Sequence, residues 1–198
     1  MKTIHINNVP TICQHPEMPT GCEATALTML LNWGGKKVSN HDVVKNLPKG
    51  DSVKLIDGEW RGGNPTIEFV GDPYGDEGNF GVFEGPILKT IETIMPGKGV
   101  DLTGRPFEEL LDIVRSGKPV MAWTTIEQQT TFHSKTWKDK DGNTIKWYRY
   151  EHAVVLVGFN EETVFVNDPT TGKEEQYDRE QFERNWASMG KRAVTLTD

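Results

Sequence analysis

The chain of 198 residues contains only two cysteines, Cys13 and Cys22. Two cysteines are too few for a disulfide-rich scaffold, and His15 is the only histidine near enough to join them in a local zinc site. A Cys13–Cys22 disulfide that closes a short loop stays open as an alternative. The sequence therefore leaves three roles for Cys22, which are packing, pairing with Cys13 and chemistry.

Long apolar runs are also missing. No stretch approaches the roughly 20 apolar residues that span a bilayer, so we expect no integral membrane segment. The first residues, MKTIHINNVP, lack the apolar core of a secretory signal. We expect a cytoplasmic protein if Met1 is the natural start, and an extracellular or cell-envelope protein if a signal peptide has been removed.

An excess of positive charge is absent as well. The formal net charge is -7, with 22 Lys and Arg residues that form no basic stripe. We therefore expect no nucleic acid partner, because its phosphates would be repelled. Hydrophobic residues make up 35% of the chain, which is enough for a core at this length. We predict a single folded domain over residues 1–198.

Two capping patterns mark the first helices. Thr20 to Glu23 reads T-x-x-E, which predicts Thr20 as the cap of a helix with Cys22 as its second residue. Gly34-Gly35 ends that helix. The same signal at Ser39 to Asp42 predicts a short helix that ends near Leu47.

The rest of the chain predicts mainly strands, with three further helices among them. Thr3 to Ile12 is expected to be extended, and the β-rich runs VMAWTTI, HAVVLVGF, TVFVND and RAVTLT predict strands of an antiparallel sheet. Helices are expected from Pro86 to about Met95, from Pro106 to Gly117, and from Asp178 to Gly190. The fold class is therefore α+β, with N-terminal helices packed on an antiparallel sheet.

Two segments are candidates for the walls of a substrate site. Residues 48–85 are rich in Gly, Pro and Asp and predict a long irregular loop, and residues 132–150 predict a hairpin that turns at Asp141-Gly142. Ordinary packing beneath loops remains open for about half of their aromatic side chains. Those aromatics are Trp60, Tyr74, Phe80, Trp137, Trp147 and Tyr148.

Cys22 has the position of an activated nucleophile. The N–H groups and the macrodipole at a helix start favour thiolate over thiol, and thiolates at such positions attack acyl groups. The backbone N–H of Cys22 is a candidate donor to an oxyanion, and the side-chain amide of Gln14 is a weaker second candidate.

His152 is the candidate base. Among the five histidines it alone stands at the start of a buried strand, whereas His5, His15, His41 and His133 lie in segments where a structural role is more common. If Phe159 pairs with Thr163 across a three-residue loop, His152 lies opposite Thr170. Asp168 is then the diagonal neighbour on the same face, about 7–8 Å away, within reach of the imidazole. The alternative is that Asp168-Pro169 only starts a turn.

These motifs together resemble the papain-like cysteine peptidases. The runs NVPTICQHPEMPTGCEATALTMLLNWGG, GKPVMAW, HAVVLVGF, VNDPTTG and FERNWASMGKRAV are similar to those of stand-alone bacterial relatives of the double-glycine, bacteriocin-processing peptidases. The resemblance implies a papain-like fold, with Cys22 as nucleophile, His152 as base, Asp168 as orienting acid and Gln14 as oxyanion donor.

The sequence departs from the pattern of the bacteriocin-processing peptidases in two ways. The loop between Gln14 and Cys22 is longer than in the bacteriocin-processing members. No transporter segments are attached, so the resemblance does not by itself imply a double-glycine leader as the substrate. The expected function is hydrolysis of peptide bonds in a peptide or protein substrate, without metal or cofactor. Another acyl-transfer enzyme, such as an amidase or transpeptidase, and a non-catalytic peptide- or wall-binding module remain open. The oligomeric state is also open.

Overall fold

The computed structural model describes residues 2–198. Five α-helices lie within these residues. They are α1 (Cys22–Trp33), α2 (Asn40–Asn46), α3 (Glu84–Ile94), α4 (Phe107–Arg115) and α5 (Arg179–Ser188), and a 3-10 turn covers Ile126–Gln128. None of the helices in residues 2–198 combines the length and the apolarity that a membrane span requires.

The strands form one large sheet and two small ones. They are β1 (Ile4–His5), β2 (Lys49–Gly50), β3 (Lys54–Ile56), β4 (Glu59–Arg61), β5 (Phe69–Val70), β6 (Gly99–Asp101), β7 (Val120–Thr125), β8 (His133–Lys138), β9 (Thr144–Tyr148), β10 (Glu151–Phe159), β11 (Thr163–Asp168), β12 (Lys173–Asp178) and β13 (Ala193–Leu196). The large sheet has the order β12-β11-β10-β7-β13-β6, and β1 also pairs with β10. Its pairings are all antiparallel, so the predicted α+β class is confirmed.

The large sheet buries both of its faces, which explains why β10 is apolar at nearly every position. Ala153, Val155 and Val157 pack in one cluster with α1. Val154 and Leu156, which alternate with them, pack in a second cluster with α4 and α5. The sheet is therefore the middle layer of a three-layer arrangement, and the start of β10 meets the start of α1.

The hairpin between β10 and β11 contains a bulge that sets the register at the site. Phe159 pairs with Val164 rather than with Thr163, so the predicted three-residue loop is wrong by one position. The register then shifts between Leu156 and Gly158, and Val155 pairs with Asn167. The bulge inserts one residue and so cancels the error made at the loop. From Leu156 toward the start of β10, the pairing register between β10 and β11 is the one that the sequence predicted.

The start of α1 also differs from the prediction. Gly21 is the N-cap, without a side-chain cap, and Cys22 is the first helical residue rather than the second. The Thr20 hydroxyl lies within 3.0–3.3 Å of the carbonyl oxygens of Asp72, Pro73 and Gly75. Thr20 does not cap because its side chain ties the 72–75 segment to the helix start. The second predicted box is present, with Ser39 capping α2 through Asp42.

Residues 48–85 are more ordered than an irregular loop. They contain β2 to β5, and β3 and β4 continue into the β8–β9 hairpin as a four-stranded sheet. The Trp137 indole N–H donates to the Gly63 carbonyl at 2.7 Å, and Asn64 donates to Asp139 at 2.9 Å. Trp137 and Trp147 form a small core here, so ordinary packing, one of the two alternatives left open, describes these two side chains. The contacts that bury them join segments distant in sequence, so local patterns did not predict them.

The remaining four aromatics are less buried than Trp137 and Trp147. Trp60, Tyr74 and Tyr148 are exposed, and Phe80 is half-buried against Trp137 and Trp147.

Candidate active site

Cys22 is a buried free thiol at the first position of α1, with 6% of its surface exposed. Cys13 is also free and is exposed, with its thiol 3.6 Å from the Thr170 carbonyl oxygen. The disulfide alternative is therefore not the state of this structure. The remaining roles for Cys22 are packing and chemistry.

The Cys22 thiol contacts two elements. It donates a hydrogen bond to Glu23 Oε2 at 3.2 Å, and the backbone of Ala153 hydrogen-bonds the sulfur. The β10–β11 pairing runs only as far as Val155 and Asn167, which leaves the start of β10 open on that side. The sulfur lies against this open start, beside the residue that follows His152.

The surroundings of the thiol oppose the thiolate form that the helix start favours. Burial holds the pKa of the Cys22 thiol well above its usual value, and the charges of Glu23 and Glu151 raise it further. The hydrogen bond from the Ala153 backbone lowers the pKa but does not compensate. Loss of hydration and two nearby carboxyl groups therefore outweigh the favourable field of the helix start.

His152 and Asp168 form a buried, hydrogen-bonded pair. His152 Nε2 lies 2.7 Å from Asp168 Oδ1, and both residues are almost completely buried. The Thr170 backbone N–H donates to the same oxygen at 2.8 Å, and the Tyr177 hydroxyl lies 3.4 Å from Oδ2. Burial raises the pKa of Asp168, but these hydrogen bonds and the His152 charge outweigh burial and lower it below its usual range. Asp168 therefore stays ionised and can fix the imidazole by accepting from Nε2–H.

The structure brings Cys22 and the His152–Asp168 pair to the same end of the large sheet. The thiol touches the backbone next to His152, but within residues 2–198 no hydrogen bond joins its sulfur to the imidazole. Alternation along β10 places Ala153 and Glu151 on the α1 side and directs His152 toward the other. Because Nε2 faces Asp168, Nδ1 is the nitrogen left for a proton from the thiol.

Gln14 is buried beside the same turn. Its backbone N–H donates to the Pro169 carbonyl at 2.8 Å. Its side-chain amide donates to the Met18 and Pro19 carbonyls at 3.0 and 3.1 Å, and Oε1 is buried without a partner. Both amide protons are engaged in this structure, so an oxyanion role for Gln14 stays a prediction.

Two further carboxyl groups at the site escaped the sequence analysis. Glu23 is completely buried, and one donor atom each of Cys22, Glu23 and Glu151 lie within 4.8 Å of one another. Glu23 was interpreted as part of a capping box, and Glu151 was given no role. The alternation of side chains along β10 could have predicted the position of Glu151, because it directs Glu151 toward the helix that carries Cys22.

The thiol and the two carboxyl groups are the donor types that a metal ion uses, and they form the single such cluster within residues 2–198. The sequence prediction that no metal takes part stays a prediction.

Three of the other four histidines make local surface contacts. His5 pairs with Glu174, His41 with Glu17 and Tyr74, and His133 with Thr136. These contacts explain their positions without chemistry.

Two cavities open beside Glu151. One has a volume of about 320 Å³ and is lined in part by Phe80, Trp147 and Tyr150. The other, of about 220 Å³, is lined in part by Phe83, Trp147 and Arg192. Both the 48–85 segment and the 132–150 hairpin contribute to the first cavity. A substrate chain that reached Cys22 through it would contact both segments.

Comparison with known proteins agrees with this architecture. YvpB, an uncharacterized protein of Bacillus subtilis strain 168, is 33% identical over 181 residues, which cover 91% of this chain and 70% of YvpB. A crystal structure of a Bacillus anthracis protein assigned as a C39-like peptidase superposes with a TM-score of 0.90 and 34% identity. It covers 100% of this chain and 98% of that one.

A more distant structural match confirms the fold alone. A double glycine motif protease from an AMS/PCAT transporter, in complex with its leader peptide, has a TM-score of 0.53 and 17% identity. The match covers 100% of this chain and 99% of that one. The papain-like fold expected from the sequence is thereby confirmed. Residues 6–194 match the sequence profile of the Peptidase_C39 like family, and the chain belongs to that family.

Proposed function

We propose that the protein is a cysteine peptidase that hydrolyses peptide bonds through Cys22, His152 and Asp168. The observation that carries the proposal is the buried His152–Asp168 hydrogen bond of 2.7 Å at the end of the sheet where Cys22 begins α1. A packing role gives no reason for a buried ionised carboxylate next to an imidazole, whereas in acyl transfer such a carboxylate orients the base and stabilises its charged form.

The proposed reaction begins from a neutral thiol. His152 accepts the Cys22 proton at Nδ1 while Asp168 holds Nε2–H, and the sulfur attacks the carbonyl carbon of the scissile peptide bond. The Cys22 backbone N–H, which has no partner inside the helix, donates to the oxyanion. Gln14 is the proposed second donor, after its amide releases one of its two carbonyl partners. His152 then protonates the leaving amine, and water hydrolyses the thioester.

The substrate we propose is a peptide or protein segment in extended form. The cavity between the 48–85 segment and the 132–150 hairpin supports this, because it leads toward Glu151 and the start of β10. The relative solved with a leader peptide also accepts a peptide chain. No step requires a metal ion or an organic cofactor.

The test is incubation with a diverse peptide library, with the masses of the products measured. We expect wild-type protein and Cys13→Ser to release peptides with new carboxyl ends, and Cys22→Ala to release none, because only Cys22 lies at the site. Cys13→Ser is the matched control, since it removes the exposed thiol by a similarly small change.

Other outcomes would contradict the proposal. Full hydrolysis by Cys22→Ala would exclude Cys22 as the nucleophile. New amide products, in place of free acids, would identify a transferase on the same scaffold. Binding of peptides without any Cys22-dependent product would identify a binding module.

A further inference from the structure

Glu23 and Glu151 form a pair of carboxyl groups directly against the Cys22 sulfur. Glu23 Oε2 accepts the thiol hydrogen at 3.2 Å, and Glu23 Oε1 accepts the Val82 backbone N–H at 3.0 Å. Glu151 Oε1 is buried and has no donor from another residue. The carboxyl groups of Glu23 and Glu151 are close enough to share a hydrogen bond, which requires one of the two groups to be protonated.

Few other charges reach the pair. From β10, His152 is the next residue, and it is bonded to Asp168. From the turn before β13, Arg192 faces Glu151, but its guanidinium already bonds Glu84 of α3 at 2.6 Å and stacks on the Phe83 ring at 3.9 Å. The segment around Gly81 covers the two carboxyl groups, and it directs no titratable side chain at them. A Cβ at Gly81 would lie 2.3 Å from Glu23 Oε1 and 3.0 Å from Glu151 Oε2, so the backbone packs onto both carboxyl groups.

Two buried carboxyl groups this close together do not both ionise when Arg192 is the cation beside them. One proton is retained between them, as two like charges at short distance require. Burial raises the pKa of both groups, and the Glu23 charge raises the pKa of Glu151 further, while Arg192 lowers it. Glu23 is the member that carries the charge, because its two oxygens accept the Cys22 thiol and the Val82 backbone N–H, whereas Glu151 Oε1 has no such donor.

We propose that Glu23 is a positioning residue for the nucleophile: its carboxylate, kept singly charged by the proton shared with Glu151, holds the resting Cys22 thiol protonated and turned away from His152. This inference rests on the proposed function. It also accounts for the absence of a thiol–imidazole hydrogen bond within residues 2–198.

Activation then consists of one movement and one proton transfer. The S–H···Oε2 contact breaks as the Cys22 side chain turns about its Cα–Cβ bond. The proton passes from sulfur to His152 Nδ1, which leaves a thiolate and an imidazolium. The proton between Glu23 and Glu151 stays in place, so the charge of the pair does not change during this step.

The experiment measures the rate of Cys22 alkylation by iodoacetamide as a function of pH, in a Cys13→Ser background, with mass spectrometry as the readout. In Glu23→Gln the amide can still accept from Val82 while its NH2 group donates to the sulfur. We expect the pH of half-maximal rate to fall by about one unit or more, because a negative neighbour of the thiolate is replaced by a donor.

Two variants provide matched comparisons. Glu151→Gln replaces the protonated member with an amide that also donates to Glu23, so we expect less than half of the Glu23→Gln shift. Glu180→Gln removes the same charge from an exposed position of α5 and should shift nothing.

Three results would overturn the proposal. They are an unchanged profile in Glu23→Gln, equal shifts in Glu23→Gln and Glu151→Gln, and an equal shift in Glu180→Gln. If Glu23→Gln does not fold, Glu23→Asp replaces it. The shorter carboxylate withdraws from the sulfur, so a smaller fall is expected and no fall overturns the proposal. Alkylation needs no substrate, so failure of this inference is distinguishable from failure of the peptidase proposal.

Discussion

Asp168 controls which nitrogen of His152 carries a proton. Its ionised carboxylate accepts from Nε2–H at 2.7 Å, which leaves Nδ1 free to accept. In Asp168→Asn the amide can present N–H groups instead, which favours the tautomer with the proton on Nδ1. The imidazole then cannot take the thiol proton.

We therefore expect Asp168→Asn to lower kcat on the order of 10²–10⁴-fold with little change in KM. Steady-state kinetics on a peptide found in the library screen measure this. Tyr177→Phe is the matched control, because it removes only the longest contact to Asp168, at 3.4 Å, and should cost no more than a few-fold. A kcat for Asp168→Asn close to wild type would mean that Asp168 only starts the turn to Gly172.

At the scale of elements, two similar sequence patterns have different structures. Ser39 and Asp42 form a reciprocal cap at the start of α2, with bonds of 3.0 and 3.1 Å. Thr20 and Glu23 do not, because Thr20 bonds the 72–75 segment and Glu23 points into the site. The capping box at Ser39 is exposed to solvent and depends only on neighbouring residues. The Thr20 hydroxyl and the Glu23 carboxyl group instead bond to partners outside a cap.

Ser39→Ala is expected to lower the free energy of unfolding by about 1 kcal/mol, because it removes a helix N-cap far from the site. Urea unfolding followed by circular dichroism measures the change, and peptidase activity should not change. Thr20→Ala is the comparison: it should increase proteolytic cleavage near residues 72–75 with no comparable loss of helix. The reverse pattern would contradict this account of the two boxes.

In the β10–β11 hairpin, a bulge compensates for a loop that differs from the predicted one. The loop is one residue out of the predicted register, and the bulge between Leu156 and Gly158 restores the register. His152 and Asp168 then share a face, as their hydrogen bond requires. The bulge adjoins Gly158, where a Cβ would lie 2.7 Å from the Ile4 carbonyl oxygen of β1, so a segment distant in sequence packs against it and the hairpin pattern alone did not predict it.

At the scale of the whole molecule, the buried carboxyl pair affects stability as well as chemistry. The pKa of Glu23 and of Glu151 is raised in the folded state, and in the unfolded chain both residues would titrate near the ordinary value of about 4.3. Between the ordinary and the raised values the folded state binds more protons than the unfolded state. Stability from this source is therefore complete below the ordinary pKa and falls as the pH rises.

We expect the Tm of the wild type to fall between about pH 5 and pH 8 more steeply than the Tm of Glu151→Gln, which lacks one of the two titrating groups. Differential scanning calorimetry across this range measures the difference. A parallel decline in the two proteins would mean that the pair is not a proton-binding unit. The prediction of a single domain over residues 1–198 is separate and stays a prediction.

Much of the site was predictable because it depends on local patterns. The Pro-rich loop followed by an apolar period of 3.6 placed Cys22 at the start of a helix, and the runs HAVVLVGF and TVFVND placed His152 and Asp168 on neighbouring strands. Helix starts, strand periodicity and hairpin pairing follow from short-range backbone geometry and side-chain polarity, so the sequence alone determined the α+β class and the three candidate residues.

Only the tertiary structure decided the protonation state of the nucleophile. Glu23 and Glu151 are far apart in the chain and meet under Gly81. Burial and these two carboxyl groups raise the pKa of the Cys22 thiol, whereas the helix start alone would lower it. The burial of Trp137 and Trp147 was decided in the same way, by contacts between residues 48–85 and the β8–β9 hairpin. Hydration and charge–charge energies depend on which distant segments come together, and the packing of the whole chain fixes those distances.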